Sequence, residues 1–434
     1  MRRQVIDAPR TDLRFGQSTA WNLAGLAIPL VLALICIPFL VSALGTERFG
    51  LLSLMWMILG ASGLFDLGLG RALTVEVAAR RNNDAGDDVY KIIASGIVAL
   101  TVLGGSFAML FAFFADELSG LINTSDVIRA ELNLAFVIAA PAIVLVVVSS
   151  GITGALEAER RFDYSNLTRI VVGFGSIGGS TLVSVFDQSL PAMAIVLLAT
   201  RLLSTGVGIC LLRIAVPVTS WKVKPSARNI GEFVRSARWM TASNLLGPAL
   251  RYGDRLVLSV LVSAELIAFY VTPYDLVTKV LILPGAVVSV LLPEFASASS
   301  DSSTLLRLLR KGVTLTVVST LPILLIFAVF AHPAIGWWIT PNFADSSTRV
   351  AQILCVGVFC NAIATLPFAL LQGIGRADLV TKAHILELPF YLSALVIAAS
   401  RSSIAGLAVV WAGRMAVDAM ILYSLVLWRL RAAR

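Results

Sequence analysis

Long apolar runs, separated by short polar connections, recur from residue 19 to the end of the chain. Residues 19–43, 50–70, 89–115, 130–156, 166–187, 191–213, 238–263, 267–293, 312–335, 347–372, 381–399 and 403–428 form twelve such runs. Each is close to the ~20 residues that an α-helix needs to cross a hydrocarbon layer of about 30 Å. The pattern predicts an all-α, polytopic membrane protein of about 12 spans. Composition agrees: 58% of residues are hydrophobic and 14% charged, against about 25% charged in soluble domains. The first 18 residues are polar and carry Arg2, Arg3, Arg10 and Arg14. The run that follows is too long for a signal-peptide core and leads into a second span, so no cleavable signal is expected.

Charge sets the expected topology. Of the 34 Lys and Arg residues, 25 fall in or beside the two termini and the even-numbered connections, whereas the opposite connections hold Arg48, Arg129, Arg349 and Arg401. In loops this short the bias places both termini in the cytoplasm. The net charge of +8 is therefore read as topology, and no nucleic acid is expected. Trp21, Trp221, Trp239, Trp337, Trp338 and Trp428 lie near span ends, where an amphipathic indole is favoured. Cys36, Cys210, Cys355 and Cys360 sit inside apolar runs with no metal-site or disulfide spacing.

The longest cytoplasmic connection, with Pro217, Lys222, Lys224, Pro225 and Arg228, divides the chain into two six-span halves. The expected organisation is an N-terminal lobe at 1–217, a basic linker at 218–236 and a C-terminal lobe at 237–434. Trp21-Asn22-Leu23 and Ser243-Asn244-Leu245 echo one another across the halves, as do the acidic hairpins at Glu47 and Glu265. Repeats of this kind put a transport site between two lobes.

Several enzyme signatures are missing. No Gly-Lys pair exists, which excludes a phosphate-cradling P-loop, and the two histidines, His332 and His384, have no paired metal-ligand spacing. Gly173-Phe-Gly-Ser-Ile-Gly178 matches G-x-G-x-x-G but lies within a span, where small residues let helices approach closely. No cofactor and no catalytic site are expected.

Charges within spans are costly and mark function. They are Arg201, Arg251, Asp254, Arg255, Asp275, Lys279, Glu387, Arg414 and Asp418. Asp275/Lys279 and Arg414/Asp418 stand at i,i+4 and Arg251/Asp254 at i,i+3, so each pair can neutralise itself along one helix face. Arg255 and Arg201 have no such partner. Guanidiniums in a low-dielectric cavity suit a phosphate-bearing substrate, which makes Arg255, Arg251, Arg201, Lys279 and Arg414 candidate substrate contacts. Asp254, Asp418 and Glu387, with His384 on the same face as Glu387, are candidates for ion coupling. Pro29, Pro38 and Pro248 suit helices that bend during gating.

Phe49-Gly50-Leu51, followed by Gly63-Leu-Phe-Asp66-Leu-Gly68-Leu-Gly70-Arg71-Ala72-Leu73, resembles the signature of the first two spans of polysaccharide flippases. These are the Wzx-type O-antigen and exopolysaccharide translocases of the multidrug/oligosaccharidyl-lipid/polysaccharide (MOP) exporter superfamily. Asp254-Arg255, Glu265 and Tyr270 are similar to the opening of that family's second half. The resemblance implies a MATE-like fold of two six-helix bundles around a hydrophilic cavity, in a bacterial inner membrane. It implies outward flipping of an undecaprenyl-diphosphate-linked oligosaccharide by alternating access, with the lipid tail left among membrane lipids. A polysaccharide polymerase as partner, and H+ or Na+ as coupling ion, fit the same picture. Asp66 and Arg71 then have two readings, a gate between lobes or an anchor at a helix terminus. The competing functions are a cation-coupled multidrug exporter, a peptidoglycan-precursor flippase, and a membrane polymerase or glycosyltransferase. The unpartnered arginines, the lack of extra spans and the short outer loops weigh against them in turn.

Overall fold

A computed structural model describes residues 10–60, 65–81, 86–159, 161–216, 257–258, 260–298, 301–400 and 403–432. The described residues contain ten helices long and apolar enough to cross a membrane. Among them, the isolated pairing of Asn123 with Ser263 is the sole extended contact. The first long helix, α1 (Arg10–Gly60), joins expected spans 1 and 2 across a kink at Gly45 (φ 73°, ψ 165°). That backbone region favours glycine, which has no Cβ to clash. Arg251, Asp254 and Arg255 of expected span 7 lie outside the described residues.

After α1 come α2 (Leu69–Arg81), α3 (Gly86–Phe113), the short α4 (Ala115–Gly120) and α5 (Asp126–Ala158). Next are α6 (Phe162–Gly173), a π-helical turn at Phe174–Gly179, α7 (Ser180–Ser184) and α8 (Leu190–Ala215). The second half holds α9 (Ala264–Val277), a 3-10 turn at Thr278–Leu281, and α10 (Ile282–Ser297). It closes with α11 (Ser302–Trp338), α12 (Pro341–Gly373), α13 (Ala377–Ala399) and α14 (Ile404–Ala432).

The chain forms two compact units. One comprises Met1–Gly45, Met55–Gly120 and Ser125–Pro248; the other comprises Thr46–Leu54, Leu121–Thr124 and Ala249–Arg434. Each unit is built around one central helix. In the first it is α5, with 56% of its apolar window buried; in the second it is α12, also at 56%, while no other candidate span exceeds 39%. Both are the fourth expected span of their half, and α5 packs most extensively on α8 as α12 does on α14. The order of elements and the packing thus repeat from one half to the other. The repeat also aligns Val196-Leu-Leu-Ala-Thr-Arg201 on α8 with Val409-Val-Trp-Ala-Gly-Arg414 on α14.

Helix ends follow local chemistry. The Asp301 carboxylate caps α11, accepting from the backbone N–H groups of Ser303 (2.9 Å) and Thr304 (3.2 Å). Hydrogen bonds from the Thr304 and Ser303 side chains and backbone hold its carboxyl well below the usual carboxylate range. A depressed carboxylate keeps its stabilising contacts above the ordinary value and loses them only as pH falls through the lower one. The cap is therefore intact at any physiological pH. Within the second unit, Thr124 donates to Glu47 (2.6 Å) and Thr46 to Glu265 (3.4 Å). The two acidic hairpins noted in the sequence are thus tied to neighbouring hydroxyls.

Most large exposed side chains are apolar, among them Phe39, Phe113, Phe186, Val290, Phe330 and Phe390. In water this would be an aggregation liability; on helices that face lipid it is the expected surface.

Candidate functional site

The first unit contains a cavity of about 440 Å³, bordered by Asp66, Arg71, Arg201, Arg169, Glu157 and a set of hydroxyl side chains. It lies within the size range of small-molecule sites, roughly 300–1,000 Å³. Three of the candidates from the sequence, Asp66, Arg71 and Arg201, are brought together here from separate elements.

One wall is a polar stripe on α5. Val146, Ser149, Ser150, Thr153, Gly154 and Glu157 all face the cavity, at the i, i+3, i+4, i+7 spacing of one helix face. Opposite, Thr168, Arg169 and Val172 come from α6, and Arg201 and Ser204 from α8. The hydroxyls are locally anchored: Ser149 and Thr205 share a hydrogen bond of 2.9 Å, and Ser204 donates to the Thr168 carbonyl at 3.2 Å.

Small residues let the walls close up. A Cβ on Gly154 would stand 2.6 Å from the Gly70 carbonyl oxygen and 2.6 Å from Thr74 Oγ1, so α5 and α2 touch through backbone. The π-helical turn at Phe174–Gly179 falls on the glycine-rich stretch of span 5, where Gly175 packs on Thr200, next to Arg201. The close-approach reading of that stretch therefore holds.

Arg201 lines the cavity from α8. Its Nη2 donates to the Leu59 carbonyl oxygen at 3.0 Å. Among the described residues no carboxylate pairs with it. Arg71 is exposed at the cavity border and, among the described residues, makes no ion pair either. Arg169 differs: it pairs with Glu157 at 2.9 Å, both side chains being partly exposed. Such a pair contributes about 0.2–1 kcal/mol. Glu157→Gln is accordingly expected to leave the thermal midpoint of the purified protein nearly unchanged, which a melting curve in detergent would check.

Asp66 is 7% exposed and its Oδ1 accepts from the Gly68 N–H at 2.8 Å. This closes a turn in which Leu67 (φ 49°) and Gly68 (φ 78°) both take left-handed backbone. Asp66→Asn retains that acceptor and should express and melt like wild type. Asp66→Ala strands a buried N–H, at about 1–3 kcal/mol, and should lower the melting midpoint. An Asn variant that folds normally but fails to transport would favour the gate reading over the anchor.

In the second unit neither i,i+4 ion pair considered from the sequence is present among the described residues. Arg414 meets Glu387 across helices, with Nε 3.5 Å from Oε2, and Asp418 meets His384 Nε2 at 3.2 Å. Lys279 is exposed on the 3-10 turn, which interrupts the helix face it was expected to share with Asp275. Among the described residues Lys279 makes no ion pair.

Together these features define a class: a multi-pass membrane transporter, with a polar, arginine-bearing cavity set into an apolar helix bundle. The solved structures it resembles share that fold. One is an inward-facing multidrug resistance MATE family transporter of the MOP superfamily, with TM-score 0.77 and 13% identity, covering 95% of this chain and 98% of that one. Another is the lipid II flippase MurJ in an inward closed conformation, with TM-score 0.72 and 15% identity, covering 95% and 87%. A relative from Shigella flexneri, assigned as a candidate O-antigen transporter, is 26% identical over 406 residues, 94% of this chain and 96% of its own length. The polysaccharide biosynthesis protein family matches residues 15–299, and the chain belongs to that family.

Proposed function

We infer that this protein flips lipid-linked oligosaccharide repeat units, carried on undecaprenyl diphosphate, from the cytoplasmic to the outer face of a bacterial inner membrane. The observation that carries this reading is the cavity itself. It offers a guanidinium, Arg201, that pairs with no carboxylate among the described residues and stands amid hydroxyls suited to sugar. Of the cavity's two carboxylates, Glu157 pairs with Arg169 and Asp66 accepts from the Gly68 N–H, whereas a drug exporter for cations would aim free carboxylates into the space. Arg binds phosphate oxygens with two parallel donors and remains charged at any relevant pH. At about 440 Å³ the cavity suits the diphosphate and the first sugar, while the lipid tail stays in the bilayer. The halves 1–217 and 237–434 act as the two lobes, with both termini cytoplasmic, and Arg251 and Arg255 are further candidates for headgroup contact. A polymerase is the expected acceptor of the flipped product.

The test in cells is deletion of the gene in its native host, with lipid-linked glycan probed on each membrane face. Accumulation on the cytoplasmic face, reversed by the wild-type gene, supports the reading. Unchanged glycan lipids together with new sensitivity to cationic dyes would replace it with drug export.

A further inference from the structure

The second unit buries four titratable or charged groups between α13 and α14, near the middle of both helices. Their side chains grade inward in exposure: His384 20%, Asp418 11%, Arg414 10% and Glu387 6%. Phe368 of α12 stacks on the His384 ring, with centroids 6.4 Å apart. Both Glu387 carboxylate oxygens are buried and accept no hydrogen bond. A buried carboxylate without hydrogen bonds is costly, and a guanidinium at 3.5 Å offsets only part of that. With a neutral imidazole, two carboxylates and one guanidinium leave the cluster one negative charge in excess. Binding one proton from solvent removes both defects at once, because a protonated Glu387 gains a donor and the net charge becomes zero.

We propose that His384, Asp418 and Glu387, with Arg414 as fixed counter-charge, form a proton-binding site in which His384 is the outer end and Glu387 the inner. The bound proton comes from solvent through His384 and returns to solvent when the site empties. A metal cation fits poorly, since Arg414 already occupies one side of Glu387 and no group of three His, Cys, Asp or Glu side chains among the described residues can hold a metal ion. The charged groups acting on Glu387 are Asp418, Arg414 and His384. The other titratable neighbours are Tyr391, beneath the Arg414 guanidinium, and Tyr423, whose hydroxyl donates to the Ile363 carbonyl. The helix α12 carries Asp345, paired with His332, and Arg349 in its first turns, and contributes Cys355 and Cys360; α9 contributes Tyr274, in contact with Trp411, and Asp275.

The repeat gives this site its place in the transport reading, on which its coupling role rests. Arg414 on α14 and Arg201 on α8 end the same Val-x-x-Ala-x-Arg sequence. Among the described residues one arginine has no carboxylate partner and is open to substrate, and the other is held by a carboxylate that a proton can neutralise.

The chain has two histidines, so His332→Gln, at an exposed site, leaves His384 as a single ring reporter. Its imidazole carbon resonance would be followed against pH in lipid nanodiscs. The site predicts a titration that shifts in both Glu387→Gln and Asp418→Asn while the folded protein persists. An identical titration in all three proteins would overturn it. Transport is then compared at pH 6 and pH 8: a rate ratio that Glu387→Gln brings to one supports coupling. A ratio unchanged by the substitution removes the coupling role and leaves the flippase reading standing. Failure of the wild type to move lipid-linked glycan at any pH would sink that reading while the resonance titration still decided the site.

Discussion

Arg201→Ala is expected to stop transport while the protein still inserts and folds. The guanidinium sits on α8, held by one hydrogen bond to the Leu59 carbonyl, and faces a cavity whose other cations are exposed or already paired. Truncating one member of a buried, hydrogen-bonded charge pair costs about 2–5 kcal/mol. At about 1.4 kcal/mol per tenfold, that is a loss of at least roughly 30-fold in substrate engagement. Stability should move the other way or not at all, because an arginine within a span is itself expensive. Arg201→Lys keeps the charge but not the paired donors, so an intermediate rate is expected. The check is glycan transport per folded molecule, with folding followed by size-exclusion profile and melting midpoint. A fully active Arg201→Ala protein would remove this residue from the site.

Gly154→Leu should be the most damaging single change in the first unit. Even a methyl group at this position would stand 2.6 Å from the Gly70 carbonyl oxygen, which is backbone and has no rotamer with which to yield. Overpacking a well-filled contact costs about 1–3 kcal/mol, and a leucine exceeds the methyl by three carbons. The helices α2 and α5 must separate, and the Asp66–Arg71 wall of the cavity moves with them. Folded yield in detergent should fall sharply. Gly105→Ala is the matched control: nothing lies within 4 Å of its added carbon, and that protein should melt like wild type.

Much of the architecture was legible because lipid imposes strong constraints on sequence. A span must be a long apolar helix with its backbone satisfied internally, so the ten long helices fall on the expected runs. The close packing of the span 5 glycines also follows from residue identity, whereas the first two runs, expected as separate spans with a short acidic hairpin, form one helix kinked at Gly45. The site was legible only in part. Isolated charges such as Arg201 stand out against an apolar run, and Arg201, Arg71 and Asp66 do meet in one cavity. Arg169 and Glu157 were missed because they lie at span ends, where charges look ordinary. The serines and threonines of α5 were missed because each is individually unremarkable within a span. Their signal was periodicity: Ser149, Ser150, Thr153 and Glu157 form a polar stripe inside an apolar helix, which a search for 3.6-residue spacing would find.

Cross-helix pairing was the hardest to foresee. Arg414 and Asp418 are four apart and of opposite sign, which favours a local pair. Each instead meets a residue of α13, because His384 and Glu387 arrive on the facing side of that helix. Sequence spacing gives the options along one helix, whereas the choice between helices depends on how the two faces rotate in packing.

The most direct test of the central claim is reconstitution. The purified protein would be placed in vesicles whose undecaprenyl-diphosphate oligosaccharide carries a label on its terminal sugar, and the fraction of label accessible from outside would be followed in time. Flipping predicts movement of the label between leaflets that wild type accelerates and Arg201→Ala does not. Equal rates in protein-free vesicles and in vesicles with folded wild-type protein would contradict the account.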